Sequence, residues 1–187
     1  MAKIVAIGAH PDDIEFYAGA MLIKLAAEGN EVVFVVVTNG ERSADGLKRK
    51  YEQERASEMV GIKKTIYLEF PDGQLEYQVK ELKQSLLKIF LEEKPKIIFS
   101  FDPHNQFVVH KDFHPDHRAL ATAVVDVALI DATLAGLKRP KFWLYNPYKP
   151  NKKHYCRLHT SKKFLAVKAH KTQKLESPAK VEKFRVY

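Results

Sequence analysis

Short apolar runs alternate with longer stretches of helical spacing along most of the chain. Ile4 to Ala9 is short, branched and closed by a turn, which predicts a buried strand. Ile14 to Glu28 then carries helical spacing up to a stop at Gly29-Asn30. Glu31–Val37 (EVVFVVV) is too β-branched to prefer a helix and predicts a second strand. A charged helix over Ala44 to Val60 follows, with Leu47, Tyr51, Met59 and Val60 as its apolar contribution and Gly61 as its end. Lys64–Phe70 predicts a third strand running into a Pro71-Asp72-Gly73 turn. Val79, Leu82, Leu86, Ile89 and Phe90 mark an amphipathic helix that stops before Pro95. Lys96–Phe101 predicts a fourth strand, and Pro115 opens a helix carrying Leu120, Ala123, Val124 and Val127. Lys141–Tyr145 predicts another strand, whereas Pro147, Pro150 and Lys152-Lys153 read as a surface crossing. Ser161 is placed to cap a helix through Gln173, and the basic tail beyond is expected to be poorly ordered.

Strands alternating with helices predict an α/β fold, Rossmann-like, with a mostly parallel sheet and helices on both faces. The 187 residues suit a single domain, 1–187, with the basic segment 138–187 as part of it. No repeat, low-complexity tract or long linker divides the chain. Gly8 stands alone where a dinucleotide site would require G-x-G-x-x-G, so that reading is excluded.

In such a sheet, ligands bind at loops leaving the carboxyl ends of strands. His10, Pro11, Asp12 and Asp13 occupy the loop after the first strand. Adjacent carboxylates repel unless something cationic pairs with them, and Pro11 stiffens the loop and restricts His10. Read alone, the stretch is either turn and cap chemistry or a metal site. A second cluster, Phe113–Arg118 (FHPDHR), puts His114 and His117 in a first helical turn with Asp116 between them. The bland alternative is that His114 caps the helix and His117 faces solvent. Two His-Pro-Asp clusters, each at a strand-to-helix junction, favour the metal.

AHPDD after the first strand, with HPDH about a hundred residues later, resembles the PIG-L/LmbE family of zinc-dependent N-acetylglucosaminyl deacetylases. Thr38–Ser43 (TNGERS), Arg49 with Glu52, the FPDG of Phe70 to Gly73, and Lys163 to Gln173 (KFLAVKAHKTQ) resemble further family segments in the family's order. Thr172 replaces the usual Ser, and Tyr17 to Ala20 is poorer in glycine than the family's first helix. The resemblance implies an LmbE-like fold and zinc-dependent removal of acetyl groups from N-acetylated, GlcNAc-type sugars. It implies one zinc per chain, or another divalent ion, on His10, Asp13 and His117, a mixed nitrogen and oxygen set that suits zinc in its own right. Asp12 is then the general base. His114, held protonated or oriented by Asp116, serves as oxyanion donor or acid. Arg49 and Asp72 either hold substrate or are structural, Arg49 paired with Glu52 and Asp72 forming its turn. His170 reaches this pocket or a neighbouring subunit's, or is exposed. His104, His110, His154 and His159 have no motif behind them and read as surface residues.

The net charge of +8 is unevenly placed. From Lys138 to Tyr187 there are 15 Lys and Arg against 2 Asp and Glu, whereas the first 137 residues are net acidic. Nucleic acid is disfavoured, because no aromatic platform accompanies the charge. The asymmetry suits association of like subunits into a homo-oligomer, with Phe142, Trp143, Tyr145 and Tyr148 as candidate contacts. The single cysteine, Cys156, and the lack of a long apolar run or signal sequence point to the cytoplasm, without a membrane span. Two other functions fit the residues. One is deacylation of another small N-acyl amine; the other is a metal-dependent binding or regulatory protein acting through the basic face. Asp12 argues against the second, because metal binding alone needs no second carboxylate beside Asp13.

Overall fold

A computed structural model describes residues 1–107, 114–156, 159–175 and 177–187. Five strands run parallel: β1 (Lys3–Gly8), β2 (Glu31–Thr38), β3 (Lys64–Phe70), β4 (Ile97–Phe101) and β5 (Lys141–Tyr145). Helices α1 (Asp13–Ala27), α2 (Gly46–Val60), α3 (Val79–Glu93) and α4 (Pro115–Asp126) connect them. A π-helical turn (Val127–Asp131) and a short α5 (Ala132–Leu134) prolong α4, and α6 (Thr160–Ala169) follows the last crossing. Helices α1, α2 and α6 pack together, as do α3 and α4. No helix among the described residues is long and apolar enough to cross a membrane.

The apolar runs become strands because both faces of the sheet are covered. Nearly all of β1 and β2 is buried, and Phe34, Phe99, Phe101, Tyr145 and Phe184 fill the centre. Trp143 stacks on Phe99 and meets Phe184 edge-on. Helix ends follow local chemistry. The Asp45 carboxylate accepts from the Lys48 N–H at the start of α2, and Gly61 closes it with a left-handed turn. At Gly8 a Cβ would stand 3.0 Å from both Asp13 Cβ and Ile14 Cγ1, so only glycine lets α1 begin this close to β1.

The strand order is β3-β2-β1-β4-β5-β7-β6, where β7 is Val181–Val186 and β6 is Lys152–Tyr155. It reverses between β1 and β4, creating a crevice at their carboxyl ends where such sheets bind ligands. Both His-Pro-Asp loops leave the sheet there.

The carboxyl-terminal part departs from expectation. The basic tail is ordered: β7 (Val181–Val186) lies antiparallel to β5, with Glu182 and Phe184 buried. Part of the surface crossing is a strand too, β6 (Lys152–Tyr155), the edge paired to β7. Its exposed Lys152 and Lys153 discourage further strand addition. Ser161 does not cap α6, which starts at Thr160 after His159 and ends at Ala169 rather than Gln173. Phe142 and Tyr145 are core residues, leaving Tyr148 as the exposed aromatic of the four proposed contacts. His154 and His159 are half-buried rather than exposed, while His104 is exposed; His110 and Phe113 lie outside the described residues.

Candidate metal centre and active site

His10 follows β1 directly, Asp13 opens α1, and His117 lies in the first turn of α4. Their side chains converge. His10 Nδ1 is 3.3 Å from His117 Nε2, and Asp13 turns one oxygen to each imidazole, Oδ2 at 3.5 Å from His10 Nδ1 and Oδ1 at 3.3 Å from His117 Nε2. Donors held about 2.05 Å from a tetrahedral ion stand about 3.3 Å from one another, the spacing of the two imidazole nitrogens, and the Asp13 carboxylate lies within reach of the same point. All three residues are buried. The His117 imidazole lies face to face with Phe101, centroids 3.9 Å apart and planes 18° apart, which sets its ring plane.

His10 Nε2 faces two carboxylates, Asp72 Oδ1 at 3.1 Å and Asp116 Oδ2 at 3.3 Å. A proton on Nε2 bonds to these acceptors and leaves the Nδ1 lone pair for a metal, the usual arrangement behind a ligating histidine. Asp116 also accepts from the N–H groups of Gly73 and Leu75, at 2.7 and 3.1 Å. Asp72 accepts from the Arg42 N–H at 3.2 Å, and its own N–H donates to Glu41. Burial opposes charge at Asp13, yet the imidazoles of His117 and His10 hold it well below the usual carboxylate range. The same balance at His10, burial against Asp116, Asp13 and Asp72, raises its pKa well above the ordinary value. Negative charge concentrated here is what a divalent cation would neutralise.

Asp12 points elsewhere. Its Oδ2 accepts from Arg49 Nη2 at 3.0 Å, and Oδ1 has no hydrogen bond among the described residues. Arg49 also donates to Gly40 O and Ser43 Oγ, each at 2.9 Å, and to Pro11 O. A Cβ on Gly40, which has φ +65°, would lie 2.1 Å from Arg49 Nη1, so glycine makes room for the guanidinium. Burial, with the charge of Asp13 beside it, pushes the Asp12 carboxyl up to about 7.

His114 caps α4: its Nδ1 accepts from the Asp116 N–H at 3.2 Å. An accepting Nδ1 puts the ring proton on Nε2, so His114 is a neutral donor. Burial and the neighbouring His10 and His117 lower its pKa. Asp116 therefore does not hold His114 protonated; its carboxylate serves His10 and the turn after β3.

The other expected residues also change partners. Arg49 does not pair with Glu52, whose carboxylate instead accepts from Thr172 N at 2.9 Å and Thr172 Oγ1 at 2.6 Å. Thr172 thus keeps a hydroxyl where Ser was expected. Asp72 is not merely a turn residue, since it bonds His10. His170 is buried within its own chain rather than exposed or offered to a neighbouring subunit; its Nε2 lies 3.7 Å from Glu15 Oε2. Sequence reasoning missed Glu15 and Gln53, both fully buried beside Asp12. The signals were there: a charge in an apolar helix, and Gln53 one turn from Arg49.

A doubly wound α/β fold with a histidine–aspartate metal-type centre at its switch point defines a metal-dependent enzyme class. Residues 5–128 match the family model described as PIG-L: GlcNAc-PI de-N-acetylase, and the chain belongs to that family. It is 33% identical over 143 residues to the uncharacterized deacetylase YaiS of Escherichia coli K12, covering 75% of this chain and 76% of that protein. Diacetylchitobiose deacetylase of Thermococcus kodakarensis is 32% identical over 125 residues, 62% of this chain but 45% of that one. The N,N'-diacetylchitobiose deacetylase of Pyrococcus horikoshii, solved with its inhibitor MPG, shares the fold. Its TM-score is 0.84 at 24% identity, with 100% of this chain and 84% of that one covered.

Proposed function

We propose that this protein is a metal-dependent amide hydrolase that removes the acetyl group from N-acetylated amino sugars. The observation that carries the reading is the convergence of His10, Asp13 and His117 with an independently held carboxylate, Asp12, beside it. Deacetylases of N-acetylglucosamine-type compounds among the relatives support the substrate class.

His10, Asp13 and His117 would hold the ion, with zinc suited to two imidazoles and a carboxylate. When bound, such an ion supplies Lewis acidity toward a carbonyl oxygen and makes water more acidic. The chain's own residues do the rest. Asp12 accepts the proton of the attacking water on Oδ1, which has no hydrogen bond among the described residues, while Arg49 fixes Oδ2. The same carboxyl can then return that proton to the leaving amine. His114 donates through Nε2–H to the acetyl oxygen as negative charge builds there. Asp72 and Asp116 hold the His10 ring. We assign Arg49 to positioning Asp12 rather than to gripping substrate directly.

The single buried cysteine supports a cytoplasmic location, and the basic 138–187 segment supports a homo-oligomer. Zinc-loaded protein is tested by acetate release across N-acetyl sugars and chitooligosaccharides, with metal analysis of wild type and His117→Ala. Activity on an N-acetyl sugar, with about one ion per chain that His117→Ala loses, is the expected result. Full occupancy in His117→Ala overturns the ligand assignment, and release only from non-sugar acyl amines overturns the substrate class.

A further inference from the structure

Asp12 has φ 112° and ψ −30°, a strained setting for a residue with a side chain. Such conformations persist only where the surroundings enforce them. Here the enforcement comes from α2, at two points one turn apart. Arg49 takes the Asp12 carboxylate at 3.0 Å, and Gln53, four residues on, accepts from the Asp12 N–H at 3.0 Å.

Gln53 has no freedom to turn its amide around. It is fully buried, and Nε2 donates to Glu15 Oε1 and to Ser57 Oγ. With both acceptors on the nitrogen side, Oε1 must face Asp12. Glu15 is fully buried as well, and its second oxygen faces the buried His170. Hydrogen bonds therefore run Glu15–Gln53–Asp12 and end on the strained peptide, with His170 3.7 Å from Glu15 at the far end. An apolar side chain of similar size would fill the space but leave the Asp12 amide without an acceptor.

We propose that Gln53 is a positioning residue for catalysis. By holding the Asp12 amide it keeps the strained backbone that aims the carboxylate, while Glu15 fixes which way the Gln53 amide faces. The inference rests on Asp12 being the general base of the proposed deacetylase. If the clamp is lost, the backbone relaxes and the carboxylate swings away. A misplacement of about 1 Å in a catalytic group can cost roughly a hundredfold in rate.

The test compares Gln53→Met, Gln53→Glu and the exchange E15Q/Q53E with wild type, all zinc-loaded. Three quantities are read: NMR hydrogen exchange of the Asp12 amide, zinc content, and kcat and KM for acetate release from N,N'-diacetylchitobiose as probe. In Gln53→Met the Asp12 amide should exchange about tenfold faster or more, and kcat should fall about 10- to 100-fold. Zinc content and KM should stay near wild type, which a general loss of structure would not leave intact. Gln53→Glu alone sets two carboxylates against each other and should behave as badly. Adding Glu15→Gln restores a carboxylate–amide pair with an acceptor toward Asp12, so protection and part of kcat should return. Wild-type exchange and kcat in Gln53→Met overturn the proposal; if that variant does not fold, failure of the exchange to recover protection over Gln53→Glu does so. A wild type inactive on the probe counts against the substrate reading, while the amide-exchange comparison still decides the clamp.

Discussion

The Asp116 carboxylate bonds Nε2 of His10, across the sheet's switch point, and not the imidazole of His114 two residues before it. It also accepts from the Gly73 and Leu75 N–H groups, so one buried aspartate joins the turn after β3 to His10, a proposed metal ligand. Replacing a carboxylate behind a ligating histidine typically weakens metal binding about 10- to 100-fold. Asp116→Asn should show a loss of that size when zinc is titrated against a competing chelator. Unchanged affinity would mean that Asp72 alone holds the His10 ring and that Asp116 does not tune the site.

Asp12 and Asp13 are adjacent in sequence but face different partners, Arg49 on one side and the two imidazoles on the other. Asp13→Ala should lose metal. Asp12→Asn should keep it and lose turnover by about a hundred- to ten-thousand-fold, the usual contribution of a general base. Single-turnover acetate release with parallel metal analysis separates the two. An Asp12→Asn enzyme of nearly wild-type rate would point to another base.

Glu93 carries a pH dependence outside the site. Burial raises its pKa, but Lys64 and Lys3 together hold it below its ordinary value. With the folded value depressed, its contribution to stability is complete above the ordinary carboxylate range and is lost as pH falls through the folded value. Glu93→Gln should therefore lower Tm at pH 7, and the gap to wild type should close in acid. Thermal melts from pH 7 to pH 3 check this, and a gap independent of pH would refute it.

Lys163 and Glu182 form a buried ion pair at 2.8 Å, both side chains about 1% exposed. Glu182 also accepts from the Ala20 and Met21 N–H groups within α1, tying α1, α6 and β7 together. Removing one partner of a buried pair costs about 3–5 kcal/mol, because the other charge is left uncompensated. Lys163→Met should lose that much in urea unfolding while still binding zinc when folded.

The basic segment predicts the oligomeric state. With Phe142 and Tyr145 in the core, contacts between subunits must use exposed groups such as Tyr148, Phe164 and Leu165. Light scattering in moderate salt should give a mass above the monomer. A monomer that binds random-sequence DNA in a steeply salt-dependent way would instead support nucleic acid as the partner of this face.

What could be read directly from the chain were features that sequence neighbours decide among themselves. The runs at Ile4, Val32 and Ile97 are almost wholly apolar because both faces of their strands are covered, so no partner need be known to recognise them. His10, Asp13, His114 and His117 stood out as candidates because two His-Pro-Asp clusters sit in proline-stiffened turns at strand-to-helix junctions. Strands β6 and β7 were not legible, since KKHY buries no residue fully and VEKFRV buries only Glu182 and Phe184, one of them a charge. Tertiary structure alone decided who faces whom. Asp116 serves His10, Arg49 grips Asp12 rather than Glu52, and Glu52 holds Thr172. A side chain's direction depends on how segments far apart in the chain pack at one sheet edge. His10 and His117 are 107 residues apart, and only the reversal of strand order between β1 and β4 brings their nitrogens within 3.3 Å.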